Sequence, residues 1–385
     1  MEYIKLSDCA YYSNDRTKDI NLDTYITTDN MLPNKSGITI AETLPNVKST
    51  GAYHPNDILL SNIRPYFRKI WFADRNGSCS NDVLVVRSKE NVVPKFLYYV
   101  LSDNNFFNYD YVTSKGTKMP RGTPKAIMKY LVPDISKEDQ KKIANMLSNY
   151  DLLIENNNKR IKLLEQTAQE IYKEWFVRFR FPGHEKVKFV NGLPAEWTGK
   201  RVNALLTLQS GHAFKSEDYS GTGQYKVVTI KNVQDNGFEG NSTDRIDFIP
   251  SKMPKHCVLK EGDLLLSLTG NVGRICVVYG DNYLLNQRVA KIKTDYPNYA
   301  YCMFKNDSML SSLINLANGT AQQNLSPVKT ENMRTIIPDN MILKKFEGIV
   351  KPLLDKTLVL KKENDVLIKQ RDYLLPRLMS GKLEV

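Results

Sequence analysis

Two stretches of this chain imitate enzymes. PDISKEDQK at 133–141 has the carboxylates and lysine of a nuclease pattern. Its Ser136 and Asp139, however, stand three residues apart ahead of a helical run, the spacing at which a hydroxyl and a carboxylate cap a helix start. GLPAEWTGKR at 192–201 has a Gly-Lys, but its glycines are too far apart for a phosphate loop, and Arg201 stands where Ser or Thr would hold magnesium. There is no G-x-G-x-x-G for a cofactor and no Asn/Asp-Pro-Pro-Tyr of the kind amino-methyltransferases use. His54, His184, His212 and His256 lack paired metal spacing, and Cys9, Cys79, Cys257, Cys276 and Cys302 never form C-x-x-C. We therefore expect no catalytic residues, no metal site and no cofactor in this chain.

Recognition chemistry is better supplied. KGTKMPRGTPK (115–125) offers Lys115, Thr117, Lys118, Arg121 and Lys125 for phosphates or guanine edges. NGTAQQNLSPVK (318–329) offers Gln322, Gln323 and Asn324, whose amides have the geometry that reads adenine in the major groove. SNIRPYFRK (61–69) and SLTGNVGR (267–274) add Arg64, Arg68, Thr269, Asn271 and Arg274, and QSGHAFKSEDY (209–219) adds Lys215. The bland reading of each loop is a polar turn.

Positioning these loops is the work of a repeated unit. GTKMPRGTP at 116–124 matches GTAQQNLSP at 319–327, an offset of 203. DILLSNI from Asp57 matches DLLLSLT from Asp263, TTDNM ending at Met31 matches TIKNV ending at Val233, Asn81 falls over Asn286, and LVPD at 131–134 over IIPD at 336–339. Five matches in order make the chain two copies of about 200 residues. The early part of each copy is rich in Val, Ile, Tyr and Thr in short runs broken by Gly, Asn, Asp and Pro, which reads as a β-rich mixed domain. Apolar runs match between copies while loop contents differ, as two readers of different sequences would require.

The later part of each copy follows a heptad rule. Ile143, Leu147, Tyr150, Ile154, Asn157, Ile161, Leu164, Ala168, Ile171 and Trp175 alternate steps of four and three. Shifted by 203, they become Phe346, Val350, Leu353, Thr357, Leu360, Asn364, Leu367, Arg371, Leu374 and Leu378. The first helix should start near Ser136 and end before Phe181, and Pro352 predicts a kink or a late start in the second. Helices of ~36 residues are ~54 Å long, and such stripes need partners. Pairing them antiparallel, with partner numbers summing to 521, sets Asn157 against Asn364, Ile154 against Leu367, Ile161 against Leu360, Leu147 against Leu374 and Ile143 against Leu378. The attraction of that register is the buried Asn pair.

The net charge of +12 over 385 residues favours a polyanion, nucleic acid first. The start has no basic region followed by an apolar stretch, and nowhere do ~18 apolar residues run together, so a cytoplasmic location off the membrane is expected. At this point the residues carry a family likeness. LLPRLMSGKLEV, DQKKIANML with its heptads, GLPAEWTGKRV and the GT(A)Q-type loops resemble the specificity subunit of type I restriction-modification systems, over the whole duplicated chain.

The resemblance implies an α+β chain: target recognition domain 1 at 1–135, a long spacer helix at 136–180, target recognition domain 2 at 185–337 and a second spacer helix at 340–385. It implies that two β-rich mixed domains, joined by an antiparallel coiled coil with an internal pseudo-twofold repeat, read a bipartite double-stranded DNA target. Two methyltransferase subunits would dock on the helices and restriction subunits would join the complex; S-adenosylmethionine, ATP and magnesium would belong to those partners. The alternatives are a self-contained site-specific DNA methyltransferase or nuclease, and a coiled-coil scaffold that binds DNA without regard to sequence.

Overall fold

The structure is a computed structural model that describes residues 2–242, 244–317 and 323–380. The chain forms two compact units, one of residues 1–155 with 365–385 and one of residues 156–364. Both long helices, Lys137–Tyr172 and Asn340–Met379, contribute to both units.

The first unit is built around a four-stranded antiparallel sheet in the order Ala10–Tyr12, Val83–Ser88, Ile58–Ser61, Ile70–Phe72. Alternation along its central strand sends Ile58 and Leu60 into one apolar cluster and Leu59 into another. A strand buried on both faces reads as an unbroken apolar run, which is why ILL shows no polar alternation. A smaller sheet contains the parallel pair Tyr25–Ile26 and Gly77–Cys79, and Glu2–Lys5 pairs with Leu131–Asp134.

The second unit repeats this plan. Leu206–Ser210, Val289–Thr294, Leu264–Ser267 and Ile275–Val277 form the four-stranded sheet, with Leu264 and Leu266 in one cluster and Leu265 in another. Tyr225–Val228 and Tyr283–Leu285 are the parallel pair, and Thr198–Arg201 pairs with Arg334–Ile337. One turn is duplicated to its side-chain bonds. Asn30 Oδ1 accepts from Thr27 N at 2.7 Å, and Asn232 Oδ1 accepts from Thr229 N at 2.9 Å.

Two sequence matches slip. Ser80, not Asn81, is the counterpart of Asn286, because Ser80 N and Asn286 N donate to the equivalent Ile26 O and Val228 O. LVPD aligns with Arg334–Ile337, not with 336–339, since Leu6 N bonds Tyr130 O as Val202 N bonds Met333 O. The helix starts then coincide. Asp139 N donates to Ser136 Oγ at 3.1 Å, while Met341 N and Ile342 N donate to Asp339 Oδ1 at 2.9 and 3.0 Å.

The helices pair in the register summing to 521. In the second unit Asn157 Nδ2 donates to Asn364 Oδ1 at 3.0 Å, Asn364 Nδ2 donates to Asn158 Oδ1 at 2.8 Å, and the rings of Trp175 and Phe346 lie 5.8 Å apart. Ile161 and Leu360 are buried and Leu164 half-buried. In the first unit Ile143 and Leu147 share a cluster with Leu375, Leu378 and Met379, Leu374 lies at its margin, and Ile154 and Leu367 are half-buried. The seam drifts from a strict heptad: Leu354 is buried where Leu353 was expected, and Leu375 is more buried than Leu374. A straight helix with 3.6 residues per turn gains about 20° on a 3.5 repeat every heptad, which moves the buried position onto the next residue.

The late start expected at Pro352 does not occur. The helix begins at Asn340 and continues through Pro352 and Pro376 to Met379. Pro352 removes one donor, from the carbonyl of Gly348, on the exposed face where water can take its place. Val350 and Leu354 on the other face hold the turn in the core. No helix among the described residues is long and apolar enough to cross a membrane.

Candidate nucleic-acid interface

In the first unit the two basic loops are one structure. The end of Ile58–Ser61 runs into residues 62–64, and the loop at 115–122 folds onto it as a small hairpin: Lys115 and Arg121 exchange backbone bonds of 2.9 Å, Arg64 N donates to Pro120 O at 2.7 Å, and Gly122 N donates to Asn62 O at 3.0 Å. Lys115, Thr117, Lys118 and Arg121 are exposed along it, and Lys125 is exposed in the short helix Pro124–Ile127 that follows. Arg64 and Arg68 bracket the 3-10 turn Pro65–Phe67, both at positive φ of 52° and 53°. Such a backbone disfavours residues with a Cβ, so the turn holds the two arginines in an uncommon conformation.

The cations are partly engaged. Arg121 pairs with Asp82 at 3.1 Å, Arg68 Nη1 donates to Asn104 Oδ1 at 3.1 Å, and Arg64 lies over the Phe67 ring at 6.0 Å. Both groups of the Arg121 pair are substantially exposed, so the pair is weak and a phosphate can displace it. The sequence reading missed the aromatic residues interleaved here. Tyr66, Phe67 and Tyr111 are exposed, with Tyr66 at 4.7 Å from Phe67 and 6.0 Å from Tyr111. The signal was present in RPYFR, where two adjacent rings stand between two cations, a composition suited to cation–π and phosphate contacts.

The second unit assembles the same backbone from other side chains. Leu325 N donates to Leu268 O at 2.7 Å, Gly270 N to Gln323 O at 3.3 Å, and Thr269 bridges Asn324. Gln323, Asn324 and Asn271 are exposed; Gln322 lies outside the described residues. Gly270 and Gly273 take positive φ of 69° and 82°, and a Cβ at Gly273 would meet Leu310 at 2.9 Å, so GNVG is a tight turn that presents Asn271.

Two candidates do not face outward. Thr269 Oγ1 is buried without a hydrogen-bond partner, and Arg274 is held at Gln234 Oε1 (2.9 Å) and Asp235 (2.7 Å) with its side chain largely covered. Neighbouring residues supply what Arg274 would otherwise seek in solution, and it acts as a brace for the turn. Lys215 is exposed and pairs with Glu217 at 3.1 Å. Among the described residues no three His, Cys, Asp or Glu side chains converge as metal ligands, and all five cysteines are buried thiols.

The helices carry ion pairs where the seam meets each domain. In the first unit Arg371 reaches Asp151 at 2.6 Å, Tyr99 Oη donates to the other Asp151 oxygen at 2.6 Å, and Lys35 reaches Asp372 at 3.2 Å. In the second, Glu165 is held by Lys361 at 2.9 Å and Lys305 at 3.1 Å. Burial works to raise the Glu165 carboxyl, and the two lysines outweigh it and hold it below the ordinary range.

Comparison with known proteins agrees with this duplicated arrangement. The profile of a family described as the type I restriction modification DNA specificity domain matches twice, over residues 6–166 and 194–368. The chain is 30% identical to the type I restriction enzyme MjaIX specificity subunit of Methanocaldococcus jannaschii, across 77% of this chain and 71% of that one. It is 24% identical to the HindI specificity subunit of Haemophilus influenzae, across 93% and 94%. Its fold resembles the crystal structure of the type I restriction-modification S subunit from M. genitalium, with a TM-score of 0.56 at 17% identity over 98% and 96% of the two chains.

Proposed function

Since the chain belongs to the type I restriction-modification DNA specificity family, with one specificity domain in each half, we propose that its two loop pairs read the two parts of a bipartite DNA target. The observation that carries this reading is the identical backbone bonding of residues 62–64 with 120–122 and of 268–270 with 323–325, dressed with cations and aromatic rings in one half and amides in the other. Phosphate contacts from Lys115, Lys118 and Arg121 give affinity that falls with salt, and Gln323, Asn324 and Asn271 read base edges.

In this reading the chain itself has no catalytic step. The paired helices set the separation of the two half-sites and dock two methyltransferase subunits, restriction subunits join that complex, and S-adenosylmethionine, ATP and magnesium are held by those partners. The exposed Leu152, Leu163, Val359, Val366 and Tyr373 on the helices support docking, because they leave apolar surface outside the seam.

Footprinting of the complex with its methyltransferase tests the reading. Two protected segments at one fixed spacing are expected. Protection that ignores sequence would point to a non-specific scaffold, and methyl transfer by the isolated chain would overturn the non-catalytic role.

A further inference from the structure

Beneath the loops of the first half lies a polar cluster with no counterpart in the second. Asp110, in the helix Asn104–Thr113, is fully buried, and neither of its carboxyl oxygens has a hydrogen-bond partner. Asn62 Oδ1 is buried and unpartnered too. Both face Gly122: a Cβ there would stand 2.6 Å from Asp110 Oδ1 and 2.8 Å from Asn62 Oδ1. Glycine is therefore what allows the two side chains to share that space. Gly122 is also the residue whose amide ties the basic loop to the strand end at Asn62 O. At the matching places the second half has Leu313, Leu268 and Leu325, all buried in one apolar cluster, with the same backbone bond from Leu325 N to Leu268 O.

Two acceptor oxygens satisfy each other only if one carries a proton. A carboxylate without cation or donor in an apolar site is disfavoured against its neutral acid, and burial pushes Asp110 up to about 7. Tyr12 is the titratable side chain facing it from Ala10–Tyr12, and its hydroxyl donates to Pro124 O at 3.1 Å instead. Asn62, Gly122 and Ile127 surround the cluster without charge, and Arg121 turns outward to Asp82.

We propose that Asp110 is a positioning residue for the first half's DNA-reading loops: as a neutral acid it donates to Asn62 Oδ1 and seats the loop 115–122 on the strand end at 61–64. When its proton leaves to solvent, the carboxylate draws in water and the loops come loose. The first half then reads DNA in a pH-dependent way and the second does not. This inference rests on the assignment of these loops to DNA.

The sign follows from protonation. The neutral form is the native form at low pH and is depleted as pH rises through about 7, so loop order falls with rising pH. The contribution to overall stability falls earlier, between the ordinary carboxylate range and about 7, where the unfolded chain has already lost the proton that the folded chain keeps.

The test is amide hydrogen exchange on the full chain, corrected for intrinsic rates, at 62–64 and 115–122, with 268–270 and 323–325 as internal reference. Protection in the first set is expected to fall roughly tenfold between about pH 6 and pH 8, as one coupled proton requires, while the reference stays level and Asp110→Asn is flat. A wild-type profile as flat as the reference overturns the proposal. So does an Asp110 carboxyl carbon signal that titrates in the ordinary carboxylate range, the result expected if Asn62 instead turns its amide NH2 onto a carboxylate. The wild-type titration and its internal reference decide the matter even if Asp110→Asn fails to fold. Footprinting at the same pH values separates the two claims. Loss of exchange protection with unchanged cover of both half-sites overturns the assignment of these loops to DNA; flat exchange with both half-sites covered overturns the role of Asp110 alone.

Discussion

The two halves of this chain agree where residues are buried and part where they meet solvent. Both have a central strand covered on both faces, ILL in one and LLL in the other, and both have a parallel pair and an Asn-closed turn in the same places. Their loops keep the same backbone bonds, yet carry KMPR in one half and QQN in the other. The difference teaches that the scaffold is fixed by strand pairing and two-sided burial, so loop side chains are free to change without disturbing the fold. Asp110 qualifies this, because there the difference extends one layer into the interior.

The largest expected effect tests whether the scaffolds are equivalent. Leu60→Ala and Leu266→Ala each empty a fully buried position on the central strand and should each cost about 2–5 kcal/mol. Urea unfolding followed by tryptophan fluorescence can distinguish the units, as Trp71 lies in the first and Trp175 and Trp197 in the second. Losses of similar size support one scaffold used twice; a change confined to one substitution would mean that the matched strands carry different loads.

The next effect concerns the seam that both halves share. Asn157→Ala leaves the buried amide of Asn364 short of a partner and should cost about 1–3 kcal/mol. Replacing both Asn157 and Asn364 with Leu should restore stability but loosen register, since apolar contacts do not distinguish one heptad from the next. A disulfide between Ile154→Cys and Leu367→Cys should form readily in the otherwise native chain. In the double-leucine background, cross-linking should spread to pairs one heptad away; if it does not, the Asn pair does not set the register.

Much of this was legible because it is written in local spacing. Ser136 and Asp139 announce a helix start by standing three apart, and Asn157 and Asn364 announce the register by being polar in an apolar stripe. Slips of one or two residues were not legible. LVPD fitted IIPD by the shared Pro-Asp, although backbone pairing places it on RTII, where no proline stands. Pro352 misled because the local cost of a proline was outweighed by seam packing two residues to either side. Asp110 was invisible for another reason: in NNFFNYDYVT an acid reads as a solvated face, and only the fold turns it toward Gly122. The outward placement of Gln323, Asn324 and Lys118 was legible from loop composition, whereas the inward turn of Arg274 depended on Gln234 and Asp235, distant in sequence, and that of Thr269 on the backbone bridge to Asn324.

A smaller effect divides the loops by what they read. Gln323→Ala should lower discrimination at one position of the second half-site by about 1–3 kcal/mol and leave the first half-site unchanged. Selection of bound sequences from a randomised pool measures both at once. Relaxation at both half-sites would show that the halves do not read independently.

The smallest effect is expected from Lys118. It is exposed, and a surface ammonium that meets a phosphate adds affinity without information about the base. Lys118→Ala should therefore weaken binding by less than about 1 kcal/mol near physiological salt and lower the slope of log affinity against log salt by roughly one, with the preferred sequence unchanged. The contrast with Gln323 lies in this salt signature: removing a neutral amide should leave the slope alone, because no counterion was released on its account. If Lys118→Ala instead altered the preferred bases at constant salt slope, the lysine would be reading a guanine edge, and both halves would then use this loop for recognition, though not the same position in it.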